Sequence, residues 1–313
     1  MPDTRRTFLQ AAAAAAVGGA AARAQAQGQV RGQAGGPPKP VSEVQVPKMK
    51  FGKVEISRLV AGCNPFYGYA HFNNTLSSLM TEWCTPDKVV ATLHQCNRFG
   101  INAYNAITGD RPVSDLQRFQ AEGGQMHLIV QGGKSETAGI VKTLNPLAIY
   151  HMGEVTDQLY HNGELDNVKE WCKQARQLGV MVGVGSHYPE VLATVEDQGW
   201  DVDFLAGCVY NRLRTQDEWK QALNGELIEM SSDVYLKSDP ARMYKVLRQS
   251  KKPCFAFKIL AAGRIEGRAV DQAFQTAYQS IKPTDGVFIG LFPKFKDEVR
   301  ENAERVRRLL AQS

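Results

Sequence analysis

The chain has no two cysteines at C-x-x-C spacing, no G-x-G-x-x-G after its first strand-like run, and little excess of either charge. It also lacks the run of roughly 20 apolar residues needed to cross a bilayer. The first absence removes the usual structural zinc and dithiol motifs. Cys63, Cys208 and Cys254 fall in or beside apolar runs, where a thiol behaves as a small hydrophobe, and no disulfide is required. The missing glycine fingerprint argues against an open dinucleotide-binding sheet. The 37 basic and 32 acidic side chains give a net charge of +5. That balance gives no reason to expect nucleic acid or an anionic membrane as a partner.

What is present at the amino end sets an expectation about compartment. Thr4-Arg5-Arg6-Thr7-Phe8-Leu9-Gln10 carries paired arginines, a small apolar run follows to Ala22, and Ala24-Gln25-Ala26 has the form of a signal-peptidase site. Residues 1–26 therefore read as a twin-arginine signal peptide. The export machinery is the implied partner, and a periplasmic or otherwise exported location follows. The run is too short for a permanent anchor and ends at Arg23. Residues 27–47, rich in Gln, Gly and Pro, cannot bury enough surface to fold and read as a linker. Residues 48–313 suit one α/β barrel.

From Lys48 onward short β-branched runs alternate with helical stretches. A hairpin over Lys48–Ile56 comes first. Eight barrel strands are expected at 58–63, 101–106, 127–131, 147–151, 180–185, 203–208, 254–258 and 286–290. Helices are expected to start near Pro86, Pro112, Ser135, Leu165, Pro189, Pro240, Ala269 and Lys296, several with proline or a cap at the first turn. Strict alternation fits a closed (β/α)8 barrel. Two post-strand loops are long, Asn64–Trp83, which includes Phe66, Tyr67, Tyr69, His71 and Phe72, and Arg212–Asp239. Loops on that face of a barrel build the reactive mouth.

The strand ends then nominate the site. Asn105, Gln131, His151 with Glu154 beyond it, His187, Asn211 and Lys258 would ring the mouth. Two imidazoles, a carboxylate and a lysine are the ingredients of proton transfer or of a divalent metal held by His151, Glu154 and His187. Glu154 would serve equally to cap the helix that Asp157 begins. Lys258 closes the apolar run Phe255-Ala256-Phe257, and a buried lysine is costly unless paired or used.

Over residues 48–311 the chain resembles the aldo-keto reductase superfamily. The resemblance rests on Phe51-Gly52 with Ile56-Ser57-Arg58-Leu59-Val60-Ala61-Gly62, on Ala256-Phe257-Lys258-Ile259-Leu260-Ala261-Ala262-Gly263, and on Val287-Phe288-Ile289-Gly290 with Val299-Arg300-Glu301-Asn302-Ala303. It implies a barrel with an amino-terminal hairpin and an NADP site at Gly290, Arg300 and Asn302. The family's catalytic set is not kept. Its Asp position reads Asn105, its Tyr position Asp110 and its Lys position Gln131, and only His151 matches. Ser186-His187 stands where that family holds the nicotinamide with Ser-Asn.

The reading that follows is an exported barrel enzyme acting by proton transfer on a carbohydrate-like or hydroxy-carbonyl small molecule, as a lyase, isomerase or epimerase, with a divalent metal as an aid. His151 and His187 would be acid/base or ligands, Glu154 a ligand or base, and Lys258 the partner of a developing enolate, beside Asn105. Two alternatives stand beside it: an NADP-dependent oxidoreductase exported with its cofactor bound, and a non-catalytic binding protein with the aromatic first loop as clamp.

Overall fold

In a computed structural model, residues 44–133, 137–224 and 233–311 are described. The signal peptide expected over 1–26 and most of the expected linker lie outside them. Packing begins slightly ahead of the expected domain start. Val44 and Val46 are buried, and the Val46 amide donates to the Phe99 carbonyl at 3.0 Å.

The strands are β1 (Lys48–Phe51), β2 (Val54–Ser57), β3 (Leu59–Gly62), β4 (Ala103–Ala106), β5 (His127–Gly132), β6 (Ala148–His151), β7 (Met181–Ser186), β8 (Phe204–Cys208), β9 (Cys254–Phe257) and β10 (Gly286–Gly290). β1 and β2 form an antiparallel hairpin. β3 to β10 form a closed parallel barrel in which β10 pairs with β3. The helices are α1 (Asn74–Trp83), α2 (Pro86–Arg98), α3 (Asp110–Ala121), α4 (Thr137–Leu144), α5 (Gly153–His161), α6 (Leu165–Arg176), α7 (Pro189–Asp197), α8 (Gln216–Leu223), α9 (Asp239–Gln249), α10 (Ala269–Ser280) and α11 (Glu298–Leu310). Two of these were not expected: α1 occupies half of the first long loop and α8 lies in the second. α5, expected to begin at Asp157, starts four residues earlier and follows β6 directly.

Alternation along each strand separates two apolar sets. Leu59, Val130, Ile149, Val184, Leu205 and Val287 face outward, packed with helix residues such as Leu93, Phe119, Leu192 and Phe274. Val60, Ala103, Ile129, Ala148, Phe204, Phe255 and Phe288 fill the inside. The hairpin plugs the amino end: Phe51 is fully buried, with its ring edge-on to Phe204 at 5.2 Å and to Phe255 at 5.3 Å. Glycine makes room for the rings higher up. A Cβ on Gly185 would lie 3.0 Å from the Tyr150 ring, so the small residue on β7 is what lets Tyr150 cross the barrel. The amino end being filled, the open end is the carboxyl one.

Candidate functional site

A cleft of about 820 Å³ opens at the carboxyl end of the barrel. Asn105, Glu154, His187, Lys258, Gly290 and Asn302 all line it, so most of the side chains nominated from the strand ends share one cavity. Its floor is an amide–phenol network. Asn105 donates from Nδ2 to the Tyr150 hydroxyl at 3.0 Å and to the Ile129 carbonyl at 3.3 Å. Gln131 donates to Asn105 Oδ1 at 3.2 Å.

Above the floor, the loops after β3, β8 and β9 are joined by hydrogen bonds. Arg264, after β9, donates to the His71 carbonyl at 2.9 Å and to the Asp233 carbonyl at 2.8 Å. His71 Nδ1 meets Asp233 Oδ2 at 3.1 Å, and its Nε2 meets Asn64 Nδ2 at 3.2 Å. The Asn64 amide nitrogen can only donate, so Nε2 accepts and Nδ1 carries the proton to Asp233. Burial, then the positive charge of Lys258, pulls the His71 imidazole down to about 4 against the pull of Asp233. Burial also opposes the Asp233 carboxylate. The His71 bond and the Arg212 and Lys258 charges nevertheless carry its pKa well below the ordinary range.

A second imidazole is held in the same way from the other side. α5 starts with Gly153, and one turn later Asp157, fully buried, points at the end of β7. Its carboxylate accepts from the Ser186 hydroxyl, from the His187 backbone amide at 3.0 Å and from His187 Nδ1 at 2.6 Å. His187 Nε2 accepts from Arg212 Nε at 3.3 Å. Burial works against a charge on His187, but Cys208 and Asp157 carry its pKa above the ordinary value. A second proton needs the Nε2 lone pair, so the ring becomes cationic only when Arg212 turns away. Arg212 has other anchors in place, Asp233 Oδ1 at 3.2 Å and Glu154 Oε2 at 3.5 Å.

Lys258 reaches the cleft by a backbone device. Alternation makes Phe257 the inward residue of β9 and would turn the next residue outward. Lys258 instead takes a φ of +60°, a left-handed conformation uncommon outside glycine, and lines the cleft beside Phe257. Burial, with the Arg212 charge next, draws its ammonium down to about 7, opposed by Cys208 and Asp233.

Three nominated residues are not there, the first being Asn211, whose backbone amide donates to Asp239 at 3.1 Å and whose side-chain oxygen accepts from the Leu213 amide at 3.2 Å. On β6 the inward position belongs to Tyr150, so His151 faces the helices. Its ring packs edge-on against Trp171 at 5.0 Å, and its Nδ1 meets the Thr156 hydroxyl at 2.7 Å. Burial pulls it down to about 4. A metal set of His151, Glu154 and His187 is accordingly not assembled. His187 has both nitrogens engaged, Glu154 pairs with Arg212, and no three His, Cys, Asp or Glu among the described residues form a cation site. Arg300 is also outside the cleft, paired with Asp297 and Glu304 and with its guanidinium 5.0 Å from the Phe99 ring centre. Asn302 does line the cleft, but its amide oxygen accepts from Arg305 at 3.0 Å. Asp110 opens α3 at the surface and Gln131 is committed to Asn105, so the family positions for Tyr and Lys supply neither group. These residues do not fit the NADP site that the resemblance implies.

His151→Asn is therefore expected to leave turnover within about threefold of wild type while costing about 1–3 kcal/mol of stability, through the lost Thr156 bond and Trp171 contact. Steady-state rates beside a urea unfolding curve check this. A hundredfold loss of turnover in a stably folded variant would return His151 to the site.

The residues that strand ends did not reveal are His71, Asp157, Arg212 and Asp233. Each comes from a loop or from a helix, and His71 and Asp233 are 162 positions apart. The one signal available was the polar content of the two long loops.

No model of a known protein family matches the chain, and no curated protein sequence matches it. Solved structures do. A truncated 3-deoxy-D-arabino-heptulosonate 7-phosphate synthase from Thermotoga maritima has 11% identity and a TM-score of 0.51, covering 86% of this chain and 92% of that one. A phospho-2-dehydro-3-deoxyheptonate aldolase from Thermotoga maritima has 10% identity and a TM-score of 0.50, covering 86% and 73%. At such identities the likeness speaks for architecture alone: the chain is a parallel, closed (β/α)8 barrel.

Proposed function

We propose that the protein is an enzyme that moves a proton at the carbon beside a carbonyl of a small hydroxy-carbonyl, carbohydrate-like substrate, as an isomerase, epimerase or lyase. One observation carries this reading. Two imidazoles in one cleft are each held by a carboxylate through Nδ1, half-buried Asp233 for His71 and fully buried Asp157 for His187, and their environments push them in opposite directions, His71 down and His187 up. Like groups driven apart in this way mark a base and an acid. His71, neutral at ordinary pH, takes the proton once Asn64 yields Nε2 to substrate. His187, charged once Arg212 releases Nε2 and keeps its Asp233 and Glu154 bonds, returns one. Arg212 stays cationic and faces the enolate oxygen, and Lys258 meets the carbonyl.

A polar floor fringed by Tyr69, which is 55% exposed, supports a hydroxylated substrate. The hairpin ahead of the first barrel strand supports an aldo-keto-reductase-like lineage. Export by the twin-arginine route belongs to the same reading and rests on Arg5-Arg6 with Phe8-Leu9.

The test is deuterium wash-in. Aldoses, ketoses and uronates incubated with the protein in heavy water are expected to gain deuterium beside the carbonyl. His71→Gln should lower that rate by about 10²–10⁴-fold, the span of a single acid–base group. If no compound of the panel exchanges above its protein-free rate, the proton-transfer reading is wrong.

A further inference from the structure

We propose that Lys258 is a covalent catalyst, joining the substrate carbonyl as an imine before the proton is moved. The inference rests on the proton-transfer reading of the cleft and deepens it. Three observations lead to it. The first is position: Lys258 lines the cleft and is turned into it by a left-handed backbone at the end of β9, where alternation alone would have pointed it at the helices.

The second is isolation. Among the described residues no hydrogen bond or ion pair engages the Lys258 side chain, although Asp233 is near enough to influence it. The carboxylate is already taken, with Oδ1 bonded by Arg212 at 3.2 Å and Oδ2 by His71 at 3.1 Å and by the Tyr235 hydroxyl at 3.3 Å. Lys258 is half-buried, and a lysine nitrogen drawn into a cleft for structure alone is ordinarily paired. This one is left beside a saturated carboxylate and two arginines, Arg212 and Arg264.

The third is chemistry. A lysine drawn from water and set next to other cations titrates near 7, so a large share of its amine is neutral, the nucleophilic form, at ordinary pH. Its nitrogen lone pair forms the C–N bond as the C=O π pair moves to oxygen, which takes a proton. The resulting carbinolamine, after the nitrogen has released a proton, loses hydroxide with a second proton as water, and the nitrogen pair closes the C=N bond. The cationic imine then draws in the electrons of the neighbouring C–H bond as His71 takes that proton. Water reverses the sequence to release product and free amine, so no external oxidant or reductant is consumed. An iminium is a stronger electron sink than a carbonyl beside an ammonium. That gives a reason for a site already containing Arg212 to hold a second, deprotonatable nitrogen.

Reductive trapping tests this on the intact protein. Glycolaldehyde, dihydroxyacetone and pyruvate are each added with cyanoborohydride at pH 7, and the adducts are mapped by mass spectrometry. The expected result is one adduct per chain, at Lys258, formed at least tenfold faster than at the average surface lysine and rising with pH to a plateau above about 7. Lys258→Arg should lose that adduct while its circular dichroism stays native. His71→Gln should still trap. Adducts spread over surface lysines with no preference for Lys258 would overturn the imine. Deuterium wash-in without trapping would leave proton transfer standing and remove only the covalent step. Trapping without wash-in would leave the imine and remove proton transfer.

Discussion

Lys258→Met is expected to lose turnover by about 10³-fold or more and yet to unfold at higher urea than the wild type at pH 6. The two effects have one cause. Folding moves an amine with an ordinary value of 10.5 into a site where it titrates near 7. Between those values the unfolded chain holds the extra proton, so wild-type stability rises with pH across that window. The penalty is present in full below about pH 7 and has gone by about pH 10.5. A shift of that size corresponds to up to about 5 kcal/mol, and methionine, close in length and apolar, does not incur it. The variant's advantage over wild type should therefore be largest at pH 6 and fade out above about pH 10.5. A variant no more stable than wild type at pH 6 would mean that the ammonium is comfortably solvated and the site is not what we describe.

Asp157→Asn carries the second large expectation. The carboxylate accepts three bonds at once, two of them from His187, and the fold places it there from the second turn of α5. An amide can turn its nitrogen toward the Ser186 hydroxyl and keep its oxygen on His187, so the variant should fold with a loss of about 1–3 kcal/mol. What it cannot keep is the negative charge that favours imidazolium. Turnover should fall about 10²–10⁴-fold with a smaller change in KM, and the limb of the pH profile belonging to His187 should move to lower pH. Unchanged turnover with an unmoved limb would show that His187 does no proton transfer.

The barrel was legible because parallel strands buried on both faces are short, β-branched and continuous. The expected strands at 127–131 and 286–290 lie within a residue of β5 and β10 for that reason. Of the loop helices, α1 and α8 were not legible, and the start of α5 was expected at Asp157 rather than Gly153. α1 is amphipathic only in the context of the loop it covers, and α5 begins at a glycine without a capping side chain. Within the site, Asn105 and His187 were found because strand parity happens to aim them inward. His151 was misplaced because being last on a strand is not the same as facing the mouth; Tyr150 holds the inward register. Lys258 breaks parity and still faces the cleft, through a backbone conformation that no residue pattern announces. His71, Arg212 and Asp233 were hidden because loop partners distant along the chain leave no periodic trace.

The claim on which the account stands is that one cleft holds two imidazoles with opposed proton affinities. A carbon–proton NMR titration of the histidine rings between pH 3.5 and 8 tests it directly, the signals being assigned through His71→Gln and His187→Gln. The account predicts that His71 remains neutral until the pH falls to about 4, whereas His187 is still protonated above 6.5, the ordinary midpoint. Both rings titrating together near 6.5, or His71 gaining its proton first, would contradict it.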